Sequence, residues 1–268
     1  MDKVGKWAAL ALMGAALVCG GFAVNGFLKE HNAGDSYKKL QAEAEIAKPQ
    51  KESTQETVQK QEPEEKVEEP EPVECPVDFD QITEECPDCY AWIRIPDTNI
   101  DYPIVQSPSD NTFYLDHNSY GDYEYAGAIF TENLNAKDFS DPNTVIYGHN
   151  MRDGSYFGNL KEYHDRAYLD SHREIDIYTP SEKRVYDIFG AVLYDDRYIT
   201  QRYKDDNPAD CEAFLASLNN GNEENILLDD IPVSADSHIL TLSTCTGDDT
   251  TRFLILAVER TPEGASQT

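Results

Sequence analysis

Cys245 and Arg252 are the residues whose types and spacing most directly suggest chemistry. Cys245 ends an alternating polar–apolar run that begins at His238, and a polar turn follows it at once. A thiol at the end of a strand lies on a rigid element beside open space, where active sites are often built. Arg252 begins the next apolar run, so a hairpin would return its guanidinium to the thiol. A fixed cation favours thiolate over thiol and can stabilise an oxyanion, so the pair is a candidate for nucleophilic catalysis.

His149 is the histidine that could serve this thiol. A cysteine nucleophile needs a proton donor for its leaving group, and histidine is the usual one. His149 follows the apolar run 144–147 and a flexible Gly148, a strand-to-loop position like that of Cys245. Three other histidines lie in polar stretches that indicate exposed loops, and a fourth opens the strand of Cys245 and could face either way: His117, His164, His172 and His238.

The remaining cysteines do not indicate cofactor or redox chemistry. Residues 86–89 have CxxC spacing, but they end a predicted helix and precede a strand, unlike the redox motif. A local Cys86–Cys89 disulfide, a bond to Cys75 and free thiols are all open. Cys211 shares a predicted helix face with apolar residues, which indicates a small buried side chain. The sequence contains no glycine-rich phosphate loop and no cluster with zinc spacing, so no cofactor and no metal are expected.

The N-terminal segment is predicted to anchor the chain in a membrane. Residues 7–28 carry no charge and follow Lys3 and Lys6. At 1.5 Å per residue the run makes about 33 Å of helix, enough to span a bilayer. The positive-inside tendency puts residues 1–6 in the cytoplasm and the rest of the chain outside, as a single-pass protein of the cell membrane. A cleaved signal peptide or a lipidated Cys19 are alternatives with poorer motif matches.

Composition then separates a tether from a folded domain. Residues 29–75 are rich in Glu, Lys, Gln and Pro and nearly free of aromatic residues. Such a segment cannot bury enough apolar surface to offset the entropy of ordering, so we expect a disordered acidic tether. Residues 76–268 remain for one catalytic domain. The formal net charge of −29 repels phosphate backbones, which excludes nucleic acid as a partner.

The domain is predicted to be mainly β. Short apolar runs bounded by Pro, Asn, Asp and Gly predict eight strands, at residues 91–95, 102–105, 126–130, 144–147, 174–178, 184–193, 239–244 and 253–258. Such a series indicates a closed or nearly closed sheet. Residues 79–86 and 208–219 have helical spacing instead. The second of these segments lies before the strand that carries Cys245.

Several of these segments together resemble a sortase, one of the cysteine transpeptidases of Gram-positive bacterial surfaces, and in detail class B. The clearest are Thr-Leu-Ser-Thr-Cys at 241–245, Arg252 at the head of the next strand, and Tyr-Gly-His-Asn at 147–150. Supporting stretches lie at residues 90–96, 100–106, 110–115, 127–130, 148–154 and 203–222. The resemblance covers nearly all of residues 78–260 in the family's order and does not extend to the tether.

The resemblance implies a fold and a set of catalytic roles. The fold is an eight-stranded sortase β-barrel with an N-terminal helical extension and a helix before the catalytic strand. Cys245 would attack the carbonyl of a threonine in a C-terminal sorting motif and form a thioacyl-enzyme. His149 would protonate the departing amine and later deprotonate the incoming one, while Arg252 would hold the substrate backbone and the oxyanion. No metal or cofactor is implied.

The resemblance also suggests substrates and a groove. Asn111, Leu115 and Ser243 resemble positions that line the peptide groove of class B enzymes, with core packing as the alternative for Leu115. The substrates implied are surface proteins with a sorting motif similar to NPxTx. The acceptor would be an amine of a lipid-linked cell-wall precursor, or a pilin lysine.

Two other functions remain open from the residues. One is a thiol peptidase that hydrolyses its substrate without transferring it to an amine. The other is a non-catalytic, stalked surface-binding module in which Cys245 is a buried structural thiol. Reactivity of the thiol and capture by an added amine would distinguish these functions from transpeptidation.

Overall fold

The computed structural model describes residues 76–203, 208–248 and 250–260. The predicted span at 7–28 and the predicted tether at 29–75 lie outside these residues. Within them, no helix has the length and apolar character needed to cross a membrane.

The sheet closes into a barrel. Its strands are β1 (Cys89–Arg94), β2 (Asp101–Val105), β3 (Phe130–Thr131), β4 (Asn143–Tyr147), β5 (Glu174–Tyr178), β6 (Lys183–Asp195), β7 (Ile226–Leu227), β8 (Ile239–Cys245) and β9 (Thr251–Glu259). The order is β5-β1-β2-β3-β4-β8-β9-β6, and β6 pairs back to β5. The predicted mainly β, eight-stranded closed barrel is therefore confirmed. The short β7 pairs with the other side of β6, outside the ring.

One strand prediction is wrong, and one short strand was not predicted. Residues 126–130 were predicted to be a strand, but only Phe130 joins one. Gly127 has φ +61°, and a Cβ there would lie 2.4 Å from the Tyr114 carbonyl oxygen. This turn holds the segment close to the preceding loop, so the strand begins only at Phe130. The two-residue β7 was not predicted, because it is too short to show alternation.

Both predicted helices are present, and the described part of the chain contains two further α-helices. α1 (Phe79–Glu85) begins at Asp78, whose side chain accepts a hydrogen bond from the Gln81 amide. α2 (Arg166–Ser171) begins in the same way at Asp165. α3 (Ile199–Arg202) is a single turn, and α4 (Pro208–Leu218) is the predicted helix before β8. Short 3-10 helices span Phe113–Leu115 and Gly158–His164.

Side chains of β8 divide between the barrel interior and a second apolar layer. Leu240 and Leu242 pack inside the barrel, whereas Ile239 packs with Cys211 and Phe214 of α4. Every residue of β8 before its last is buried. The strand is thus held on both faces, and the predicted burial of Cys211 is confirmed at 8% exposure.

A disulfide joins Cys86 to Cys89, between the end of α1 and the start of β1. This finding selects one of the three alternatives left by the sequence. A third, buried cluster surrounds the bond and includes Ile82 and Trp92. The bridge attaches α1 to the barrel wall.

Removing this disulfide should cost little stability. The closed loop is very short, with a sequence separation of 3, so its chain-entropy contribution is about 2 kcal/mol. We expect the Cys86→Ala/Cys89→Ala double variant to lose about that much free energy of unfolding in urea titrations. The wild-type protein under reducing conditions is the matched control. A loss above about 5 kcal/mol would contradict the loop-closure account.

Candidate active site

Strand register brings three candidate residues to one end of the sheet. β4 and β8 run parallel, and Tyr147 pairs with Ser243. His149 and Cys245 each follow two residues later, so both leave the sheet at the same edge. β8 and β9 run antiparallel, and Cys245 pairs with Arg252. The hairpin predicted to return Arg252 to the thiol is present.

Hydrogen bonds continue the β4–β8 pairing past the ends of the strands. The Gly148 amide donates to the Ser243 carbonyl oxygen at 3.2 Å. The Thr244 hydroxyl donates to the Gly148 carbonyl oxygen at 2.7 Å. The Asn150 side-chain amide donates to the Cys245 carbonyl oxygen at 2.8 Å. These bonds lie on both sides of His149 and fix its backbone relative to that of Cys245.

Gly148 is required by the close packing beneath this connection. A Cβ at this position would lie 2.5 Å from Ile129 Cδ1 and 2.7 Å from Phe157 Cδ2. Both neighbours are fully buried. A side chain at residue 148 would therefore push the following His149 away from the barrel.

All six residues predicted for the site line one cavity of about 240 Å³. They are His149, Cys245 and Arg252, predicted to be catalytic, and Asn111, Leu115 and Ser243, predicted to bind the peptide. Leu115 is 42% exposed, so the core-packing alternative for it is wrong. The Cys245 thiol is free and exposed. This exposure also excludes the buried structural thiol that the binding-module alternative required.

The His149 ring is held by a backbone carbonyl. Its Nε2 lies 2.7 Å from the Leu115 carbonyl oxygen. A carbonyl only accepts, so Nε2 carries the proton and donates it. In the neutral ring the lone pair is then on Nδ1, and that nitrogen is available to take a proton. The tautomer is set by this contact.

Arg252 lies on the opposite side of Cys245 and is partly buried. Its Nη1 donates to the Thr251 carbonyl oxygen at 2.9 Å, which orients the guanidinium along the cavity wall. A guanidinium in the cavity lining is the kind of donor that binds an oxyanion or a peptide carbonyl. Asn111, across the cavity, is fixed because its Oδ1 accepts from the Asn133 amide at 2.8 Å.

The other histidines do not line the cavity. His164 and His238 are exposed, as expected for His164. His117 and His172 are only partly exposed, because their rings stack on Phe113 and Tyr168 at 4.1 and 4.0 Å between centroids. The prediction of exposed loops is therefore incomplete for these two residues.

Sequence reasoning missed one wall of the cavity and a buried carboxylate. The wall consists of residues 195–199, from the end of β6 to the start of α3, where Arg197 forms an ion pair with Asp195. Glu132 is 2% exposed and accepts a hydrogen bond from the Thr200 hydroxyl of α3. Burial raises the pKa of this carboxyl. Spacing gives no signal for Glu132, because its partner is distant in the chain.

Comparisons with known proteins agree on one family. A model of the sortase domain matches residues 93–260, which is more than half of the chain. Sortase B of Listeria monocytogenes serovar 1/2a is 36% identical over 160 residues, covering 59% of this chain and 63% of that protein. The chain therefore spans slightly less than two thirds of this relative's length.

Solved sortase B structures share the fold. The structure from Clostridium perfringens is 29% identical, with a TM-score of 0.61, and the match covers 68% of this chain and 99% of that one. The structure from Listeria monocytogenes is 33% identical, with a TM-score of 0.57 and coverage of 66% and 97%. Sortase B from B. anthracis in complex with AAEK1 is 26% identical, with a TM-score of 0.67 and coverage of 88% and 100%.

The raised pKa of the Glu132 carboxyl predicts that the free energy of unfolding depends on pH. Its raised pKa means that the folded protein favours the neutral carboxyl, so this group's stabilising contribution is lost as pH rises through the raised pKa. Glu132→Gln stays neutral throughout. We expect the stability of this variant relative to wild type to increase from about pH 4 to about pH 8 in urea titrations. The exposed Glu162→Gln is the control and should show no such trend, and a flat or falling difference for Glu132→Gln would contradict the account.

Proposed function

This chain belongs to the sortase family and is of the sortase B type, and we propose that it is a cysteine transpeptidase acting on exported proteins. It would cleave a C-terminal sorting motif after threonine and transfer the protein to an amine. The single observation that supports this most is the convergence of Cys245, His149 and Arg252 on one open cavity. The strand register accounts for that convergence.

The first half-reaction forms the thioacyl-enzyme. The Cys245 sulfur attacks the threonine carbonyl carbon, and the carbonyl oxygen becomes an oxyanion that Arg252 stabilises. His149, protonated on both nitrogens, gives the Nδ1 proton to the departing amine as the peptide C–N bond breaks. The Leu115 carbonyl keeps the ring in place throughout, because it holds Nε2.

The second half-reaction consumes this intermediate. An acceptor amine attacks the thioester carbon, His149 accepts a proton through Nδ1, and the Cys245 thiolate departs. Water can attack in the same way, which is the hydrolytic thiol peptidase alternative. The two outcomes differ only in the nucleophile, so partition of one intermediate between amine and water decides between them.

The cavity walls support binding of an extended peptide. Asn111, Leu115, Ser243, Tyr198 and Ile199 all line the cavity, which is also lined by the charged residues 195–197. The apolar and amide groups in the lining suit a motif such as NPxTx. We assign Asn111, Leu115 and Ser243 to substrate binding on this ground.

The acceptor and the location are part of the same proposal. An amine on a lipid-linked cell-wall precursor would lie close to a domain held at the membrane by a helix at residues 7–28. That helix, with residues 1–6 in the cytoplasm, is supported by the uncharged run and its flanking lysines. A pilin lysine is a second acceptor of the same chemical class, and transpeptidation to it would use the same site.

Transfer to an amine tests the proposed function. The full chain is mixed with Pro-x-Thr peptides, with triglycine or a diaminopimelate-type amine present or absent, and products are followed by mass spectrometry. We expect wild type to make the amide product and Cys245→Ala to make none. His149→Ala and Arg252→Ala should each lower kcat/KM by about 100-fold or more, because each removes one transition-state contact. Cys211→Ala is the control and should remain active.

Two outcomes would contradict the proposal. Product formation by Cys245→Ala would exclude this thiol as the nucleophile. Hydrolysis that is independent of every added amine would favour the thiol peptidase.

A further inference from the structure

An exposed aromatic surface lies next to His149 and outside the cavity. We call it the tyrosine surface, and it consists of Tyr123, Tyr125 and two aspartates that precede them, Asp116 and Asp122. Tyr123 is 64% exposed and Tyr125 is 55% exposed. Neither tyrosine lines the cavity. Such exposure of neighbouring aromatic rings is characteristic of binding surfaces.

The tyrosine surface is continuous with the candidate active site. The Tyr125 ring lies 6.1 Å from the His149 ring, between centroids. Leu115, whose carbonyl oxygen holds His149 Nε2, directly precedes Asp116 of this surface. Tyr123 lies edge-on to His117 at 5.9 Å, and His117 stacks on Phe113. Ring contacts therefore support the surface from below, and Tyr125 places it next to His149.

The surface is acidic, and Asp116 Oδ1 accepts a hydrogen bond from His117 Nδ1 at 2.8 Å. Residues 116–125 contain three carboxylates and no lysine or arginine. Asp116 and Asp122 are exposed. Carboxylates beside aromatic faces attract a cationic ammonium, through charge and through cation–π contacts. An anionic ligand would be repelled from the same place.

The order of the reaction brings the acceptor to the His149 ring. After the first half-reaction the acyl group remains bonded to Cys245, and departure of the leaving amine vacates the space beside His149 Nδ1. The second nucleophile must reach the same nitrogen, which takes its proton. The Tyr125 ring, 6.1 Å from the His149 ring between centroids, lies next to the end of that path.

We propose that the tyrosine surface docks the acceptor as its primary ammonium, a role that rests on the proposed transpeptidase function. The bound ammonium loses one proton to His149 and one to solvent. The nitrogen forms the new amide bond, and the C–S bond breaks to release the Cys245 thiolate. Asp122 and the rings of Tyr123 and Tyr125 hold the cation before it is deprotonated.

The test separates the two half-reactions in the full chain. Tyr125→Ala and Asp122→Asn are compared with wild type for the rate of acyl-enzyme formation and for its partition between water and triglycine. We expect acylation to stay within about twofold, and the KM for triglycine to rise roughly tenfold from loss of the cation contacts. Hydroxylamine, an uncharged nucleophile at neutral pH, should partition as in wild type. Equal losses with both nucleophiles would overturn the proposal, because they would indicate displacement of His149.

Tyr198→Ala is the matched variant, since Tyr198 is also exposed, at 52%, but lines the cavity. It should raise the KM of the peptide and leave the KM of triglycine unchanged. Binding of triglycine to Cys245→Ala, followed by NMR, gives a readout that needs no turnover. Loss of that binding in Tyr125→Ala supports the surface even if no peptide is processed. Unchanged binding overturns it, whereas absence of acylation in wild type contradicts only the proposed function.

Discussion

The parallel pairing of β4 with β8 is the constraint on which the rest of the site depends. It places His149, two residues past the end of β4, level with Cys245, the last residue of β8. The antiparallel pairing of β8 with β9 then adds Arg252 opposite the thiol. Because strand spacing and direction are fixed by backbone hydrogen bonds, His149 meets the distant Cys245–Arg252 hairpin at a defined place. The barrel and the α4 layer serve the site by holding β8 from both faces.

The candidate site combines a rigid centre with two different surfaces that substrates can bind. Its centre consists of strand ends tied together by Gly148, Thr244 and Asn150. The cavity on one side is lined by apolar, amide and charged side chains. The tyrosine surface on the other side is aromatic and acidic and suits an amine. His149 lines the cavity and lies beside Tyr125, so it can give a proton to one amine and take one from another through the same Nδ1.

Much of this arrangement could be predicted from the sequence, and the exceptions have physical reasons. Alternation along 239–245 and the position of Arg252 after a short polar turn identified the hairpin, since local spacing determines both. The parallel pairing of β4 with β8 was not predicted, because parallel pairing leaves no local signal in the sequence. Glu132, Thr200 and the wall after β6 were missed because tertiary contacts alone define them. The strand expected at 126–130 failed because the positive φ of Gly127 cannot be read from a pattern.

The alkylation rate of Cys245 in the folded protein tests the central claim most directly, because it requires no knowledge of the peptide substrate. Iodoacetamide labelling of the full chain, resolved by peptide mapping, compares exposed Cys245 with buried Cys211. The account predicts that Cys245 reacts at least about tenfold faster than Cys211, because the first thiol is exposed and the second is buried. Equal rates at the two cysteines would contradict it.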